Sequence, residues 1–232
     1  MIDTILFDLD NTIFDFTKAE GIALTKTLDK LGIKPEKRVL ELYSKINLMQ
    51  WKLLEEKKIT RSQLKTRRYQ LLFDEIGVDC SAEKAAEIYE FFLSQGHYFI
   101  EGAEEVLNDL CKKYKLYIIT NGIARVQKGR IKSARLERFF KDIFISEEIG
   151  YDKPSAEYFE NCFRNIPEFC REKAVIIGDS LSSDIQGGIN VNVRTIWFNP
   201  KKSENSSQLK PDYEITDLKE IEKIIEKIIE KI

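Results

Sequence analysis

Five short apolar runs, each closed by polar or turn-forming residues, restrict this chain to a narrow set of folds. They lie at residues 5–9, 116–121, 142–146, 174–179 and 193–198. The last four each follow a stretch with helical spacing, at 103–113, 124–136, 155–165 and 182–189. A run this short and this apolar is buried on both faces. A parallel sheet covered by helices provides that burial, and a half-solvated antiparallel sheet does not. The expected class is α/β, with a Rossmann-like, doubly wound parallel sheet. One more short strand is expected at 213–215, beyond the serine-rich surface segment 200–211.

Between the first two runs the pattern changes. Over residues 15–97 apolar side chains recur at helical spacing, as in Val39, Leu42, Tyr43, Ile46, Met49 and Leu53. Break signals at 32–35, 58–60 and 77–81 divide the stretch into about four helices, with Thr60 and Ser81 as N-caps. The expected organisation is a core of residues 1–14 and 98–232 with a helical bundle, 15–97, inserted after the first strand. A final helix over 218–232 carries Ile221, Ile224, Ile225, Ile228, Ile229 and Ile232 on one stripe. That stripe either packs on the sheet edge or forms a short coiled-coil seam for a partner.

Composition narrows the possible partners. With 37 basic and 39 acidic residues and a formal net charge of -2, the chain has no basic surplus for a nucleic-acid polymer. The four cysteines form no CxxC pair and there is one histidine, so no zinc-type cluster is expected. The N-terminal run is interrupted by Asp3, Asp8 and Asp10, unlike a signal peptide, and no apolar stretch approaches the ~20 residues of a membrane helix. A cytoplasmic protein with reduced thiols and no membrane partner is expected.

The polar residues that close the runs indicate the chemistry. Asp8 and Asp10, Thr120 and Asn121, and Gly178 and Asp179 each end a strand-like run. In a parallel sheet these carboxyl ends share one edge, where open α/β sheets bind ligands. Acids crowded at a buried strand end repel each other unless a cation or a shared proton intervenes. Phosphoryl transfer would use the set with Asp8 as nucleophile and Asp10 as general acid and base. Mg²⁺ would be held by Asp8, the backbone carbonyl of Asp10, and Asp179, with Asp184 acting behind them. Thr120 and the backbone around Asn121 would bind phosphate oxygens. Lys153, kept in a loop ahead of a helix begun by Pro154, would supply positive charge. His97 is expected to serve packing or a helix end.

These residues resemble the motifs of the haloacid dehalogenase-like superfamily. Asp8-Leu9-Asp10-Asn11-Thr12 is similar to its first motif, Thr120 to its second, Lys153 to its third, and Gly178-Asp179-Ser180-Leu181-Ser182-Ser183-Asp184 to its fourth. The order is that of the superfamily. Asn11 stands where Asp or Gly is common there. The resemblance implies a helical cap formed by 15–97 that closes over the substrate and, because Asp10 can protonate a leaving alcohol, hydrolysis of phosphate esters rather than dehalogenation.

Within the superfamily the chain resembles the bacterial pyrimidine-type 5′-nucleotidases. That likeness rests on residues 12–16, 58–64, 119–122, 145–150 and 183–190. It implies a small phosphorylated metabolite, a nucleoside 5′-monophosphate, as substrate. Phe14, Phe16, Tyr43 and Trp51 are candidates to line its pocket. The competing expectations are a sugar-phosphate or phosphoglycolate phosphatase, a phosphosugar mutase, and an inactive scaffold.

Overall fold

In a computed structural model of the chain, which describes residues 1–230 and only the backbone of 229 and 230, the apolar runs form one six-stranded sheet. The strands are β1 (Thr4–Phe7), β2 (Lys115–Thr120), β3 (Asp142–Ile145), β4 (Ala174–Gly178), β5 (Arg194–Phe198) and β6 (Tyr213–Ile215). Their spatial order is β3-β2-β1-β4-β5-β6, and every pairing is parallel. This is the doubly wound arrangement, with β1 at the centre and the order reversing across it. All four residues of β1 are buried, as a strand covered on both faces requires.

The connecting helices are α5 (Ala103–Leu110), α6 (Ala124–Ala134), α7 (Ser146–Ile149), α8 (Ala156–Arg164) and α9 (Gln186–Asn190). On one face of the sheet, Leu6, Ile119 and Ile176 pack with Tyr158, Phe159 and Phe163 of α8. Each such side chain contributes about 1.5–3 kcal/mol when fully buried. Gly187 brings α9 against this layer. A Cβ there would lie 2.3 Å from the Phe159 ring, so any larger residue would force the helices apart. α10 (Ile221–Glu230) buries Ile221, Ile224, Ile225 and Ile228, which supports packing on the core for that stripe. The Ile229 side chain and Ile232 lie outside the described residues.

Residues 15–97 hold no strand and four helices: α1 (Phe16–Lys30), α2 (Lys37–Glu55), α3 (Arg61–Ile76) and α4 (Ala82–Leu93). Both expected caps form. Thr60 and Gln63 bond reciprocally across the first turn of α3, and the Ser81 hydroxyl accepts from Lys84 N. The interior is partly polar. Tyr43, Tyr69 and Tyr89 pack ring against ring, and the Tyr43 and Tyr69 hydroxyls are 2.7 Å apart. Beside them Glu20 accepts from Ser44 and Asn47, and Asn47 Oδ1 accepts from Arg68 Nη1 at 3.0 Å. Burial pushes the Glu20 carboxyl above its ordinary range, partly offset by these donors and by Arg68.

The chain divides into two compact units. One is Met1–Asp15, Tyr98–Ala124 and Ala134–Ile232; the other is Phe16–His97 with Arg125–Ser133. The second therefore takes up most of α6, a stretch assigned to the core on sequence alone. The reason lies within that unit: the buried Arg130 of α6 donates to Gly96 O at 2.8 Å, and Ser133 hydrogen-bonds His97 at 2.7 Å. Among the described residues, no helix is long and apolar enough to cross a membrane.

Candidate active site

The ladder of β1 stops at Phe7, level with Ile118 of β2 and Ile177 of β4. Asp8 is the next residue, and its N–H still donates to Ile177 O at 2.8 Å. The chain then turns sharply. Leu9 O accepts from both Ile13 N and Phe14 N, at 3.0 and 2.9 Å, and Asn11 N donates to Phe14 O. Asn11 sits at φ 58°, in the left-handed region, where asparagine is among the few side chains tolerated. An Asn there serves the turn as Gly would.

Four other segments converge on Asp8. Thr120 ends β2, Asp179 follows β4, Asp184 lies in the turn after it, and Lys153 occupies the loop between α7 and α8. Lys153, 1% exposed, donates from its ammonium to Asp8 Oδ1 and Asp184 Oδ1, both at 2.6 Å, and to Ile119 O at 3.0 Å. Carboxylate oxygens of Asp8, Asp179 and Asp184 all lie within 4.8 Å of one another. Asp10 is near enough for its charge to act on Asp8 and Asp179. The Thr12 hydroxyl donates to Asp8 Oδ2 at 3.3 Å.

This cluster carries a surplus of buried negative charge, with four carboxylates around one ammonium. Burial pushes Asp8 up to about 7, with Asp184 and Asp10 adding to the rise and Lys153 opposing it. Burial also holds Asp179 well above the carboxylate range, helped by the charges of Asp8 and Asp184. At Lys153 burial acts downward, but the charges of Asp184 and Asp8 outweigh it and keep the amine protonated. Hard oxygen donors with excess negative charge suit a small divalent cation such as Mg²⁺.

The turn after β4 explains how Asp184 joins the group. Residues Leu181–Ile185 wind more widely than an α-helix, with Asp184 N and Ile185 N both donating to Ser180 O, at 3.0 and 3.2 Å. The regular helix expected from 182 begins only at Gln186. The Asp184 carboxylate folds back over Gly178, where a Cβ would lie 2.1 Å from its Oδ2. Asp184 is thus in contact with Lys153 and the cluster, nearer the centre than its sequence position suggested.

The Asn121 side chain makes contacts that its sequence position did not suggest. Its side-chain amide accepts from Lys153 N at 2.8 Å and donates to Lys153 O at 2.9 Å, clamping the backbone that carries the ammonium. Gly122 N donates to the Thr120 hydroxyl at 3.1 Å. Pro154 does not start α8; Ser155 caps that helix, which begins at Ala156.

Of the aromatic candidates, Phe14 is fully buried against Phe99, and Tyr43 is fully buried in the tyrosine cluster. Both are packing residues. Trp51 is half-buried beside Leu54, Ile59 and Leu64, with the Arg61 guanidinium 5.9 Å from its ring. Phe16 is half-buried, 5.9 Å from the Arg130 guanidinium. Of the four, Phe14 lies in the first unit, where its backbone bridges to Asp10.

Known proteins resemble this chain over most of its length. Residues 5–198 match the family described as haloacid dehalogenase-like hydrolase. The chain is 40% identical to pyrimidine 5′-nucleotidase PynA of Streptococcus pneumoniae, over 91% of this chain and 90% of that one. It is 28% identical to pyrimidine 5′-nucleotidase YjjG of Escherichia coli, over 96% and 97% of the two chains. The crystal structure of the HAD-hydrolase YfnB of Bacillus subtilis bound to magnesium superposes with a TM-score of 0.92 at 38% identity. It covers 97% of this chain and 98% of that one, and an interdomain movement is described for it.

Proposed function

Because the chain belongs to the haloacid dehalogenase-like hydrolase family, we propose that it hydrolyses phosphate monoesters through an aspartyl-phosphate on Asp8, with nucleoside 5′-monophosphates, pyrimidine ones foremost, as substrates. The observation that carries this reading is the meeting of Asp8, Asp179 and Asp184 within 4.8 Å, with Lys153 bonded to Asp8. The substrate class is supported by the likeness to PynA and YjjG.

The residues divide the work as follows. The Asp8 carboxylate attacks phosphorus, and the departing alkoxide takes a proton from Asp10. Asp10 then removes a proton from the water that cleaves the acyl phosphate. Lys153 keeps positive charge beside the nucleophile, and Asn121 holds the Lys153 backbone in place. The Thr120 hydroxyl and the backbone that follows it orient the phosphate oxygens. Mg²⁺, held by Asp8, Asp179 and the Asp10 carbonyl, would add the opposite charge that keeps Asp8 ionised beside an anionic substrate.

Release of inorganic phosphate from a panel of nucleotides and sugar phosphates, with Mg²⁺ and with EDTA, tests the proposal. Turnover of UMP, CMP or dTMP that is lost in EDTA and in Asp8→Asn is the expected result. Turnover of sugar phosphates alone would retain the phosphatase and discard the nucleotidase. Absence of turnover with every ester would discard both.

A further inference from the structure

Asp179 reaches the carboxylate cluster from a peptide unit held on both sides. Its carbonyl oxygen accepts from the indole Nε1 of Trp197 at 2.8 Å. The N–H of the same unit, on Ser180, donates to Asp184 Oδ2 at 3.1 Å. One bond from β5 and one from Asp184 therefore set the plane of the peptide, and with it the direction in which the Asp179 side chain leaves the backbone. The sheet register places the indole there, since Trp197 pairs with Gly178, the residue before Asp179. Trp197 is 5% exposed, so solvent offers the Asp179 carbonyl a poor substitute for the indole.

This bond works against a specific force. Asp179 is brought close to Asp8 and Asp184, and once it ionises to bind a cation, like charges at that range drive its carboxylate away. A carboxylate on a freely turning peptide would spend part of its time outside the cluster. We propose that Trp197 is a positioning residue of the cation site, its indole N–H fixing the Asp179 peptide so that the carboxylate stays aimed at the ion. The inference rests on the reading of the cluster as a Mg²⁺ site. Partners that orient a metal ligand are worth about 10–100-fold in metal affinity.

Calorimetric titration of Mg²⁺ alone into metal-stripped protein is the test. It compares the wild type with Trp197→Phe and with a full-length chain carrying benzothienylalanine at 197, which keeps the ring's size and replaces its N–H by sulfur. The expected result is a Mg²⁺ dissociation constant raised at least about 10-fold in both variants. The phosphatase rate at low Mg²⁺ should fall in step and recover as Mg²⁺ is raised. A variant that merely packs worse would unfold at lower temperature with its Mg²⁺ affinity intact, and that outcome overturns the inference. If Trp197→Phe folds poorly, the benzothienylalanine chain decides. A wild-type chain that binds no Mg²⁺ would overturn the functional reading instead, and is distinguishable from failure of the Trp197 inference.

Discussion

Replacing Asp8 with Asn should abolish turnover and make the metal-free protein more stable at alkaline pH. Asp8 ionises in the unfolded chain near its ordinary value of 3.8, and in the fold only at about 7. Between those values the folded state holds a proton that the unfolded state has lost, so stability falls as pH rises through this window and levels off above it. Three pH units at about 1.4 kcal/mol each make the full cost of the ionised carboxylate about 4 kcal/mol. Only about 2 kcal/mol of that is felt at pH 5. Asn removes the cost and keeps an oxygen that can accept from Lys153, which also retains Asp184 and Ile119 O as partners. The stability gap between Asp8→Asn and wild type should therefore widen by about 2–3 kcal/mol from pH 5 to pH 8. Urea unfolding in EDTA at both pH values measures it, provided the slopes agree. A gap that stays flat, or an Asn variant less stable than wild type at pH 8, would refute the account of Asp8 as a carboxylate held ionised at a cost.

Three further outcomes follow from the same geometry. Asp10→Asn should slow first-turnover release of the alcohol from alkyl phosphates by about 10²–10⁴-fold, and of p-nitrophenolate from p-nitrophenyl phosphate much less, because that leaving group departs without a proton; single-turnover rates on the two esters give the ratio, the later hydrolysis of the acyl phosphate being slowed equally for both. Gly178→Ala should displace the Asp184 carboxylate, whose oxygen lies 2.1 Å from the new Cβ, and so lower thermal stability and weaken Mg²⁺ binding together, both read by melting with and without the ion. Arg68→Ala should destabilise the chain by about 3–5 kcal/mol in urea unfolding, since it strips the buried Glu20–Asn47 pair of its cation.

Much of this fold is local information, and it was legible. Each strand is a short apolar run, and runs of that kind form sheets covered on both faces. The Thr60 and Ser81 caps are set by chemistry within one helical turn. Asp8, Thr120 and Asp179 could be placed at one edge because parallel strands put their carboxyl ends on the same side.

Contacts across strands and loops decided the rest. Asp184 joins the inner cluster because a wide turn folds it over Gly178, and no spacing rule encodes that turn. The Asn121 amide clamps Lys153 across 32 residues of sequence, and the Trp197 indole meets Asp179 only because β5 lies beside β4. Tyr43 read as a possible ligand contact until the bundle enclosed it with two other tyrosines. Periodicity along a chain tells which residues face inward, and pairing tells which strand ends share an edge. The partner of a given hydrogen-bond donor depends on distances through space, which the chain acquires only when its layers have packed.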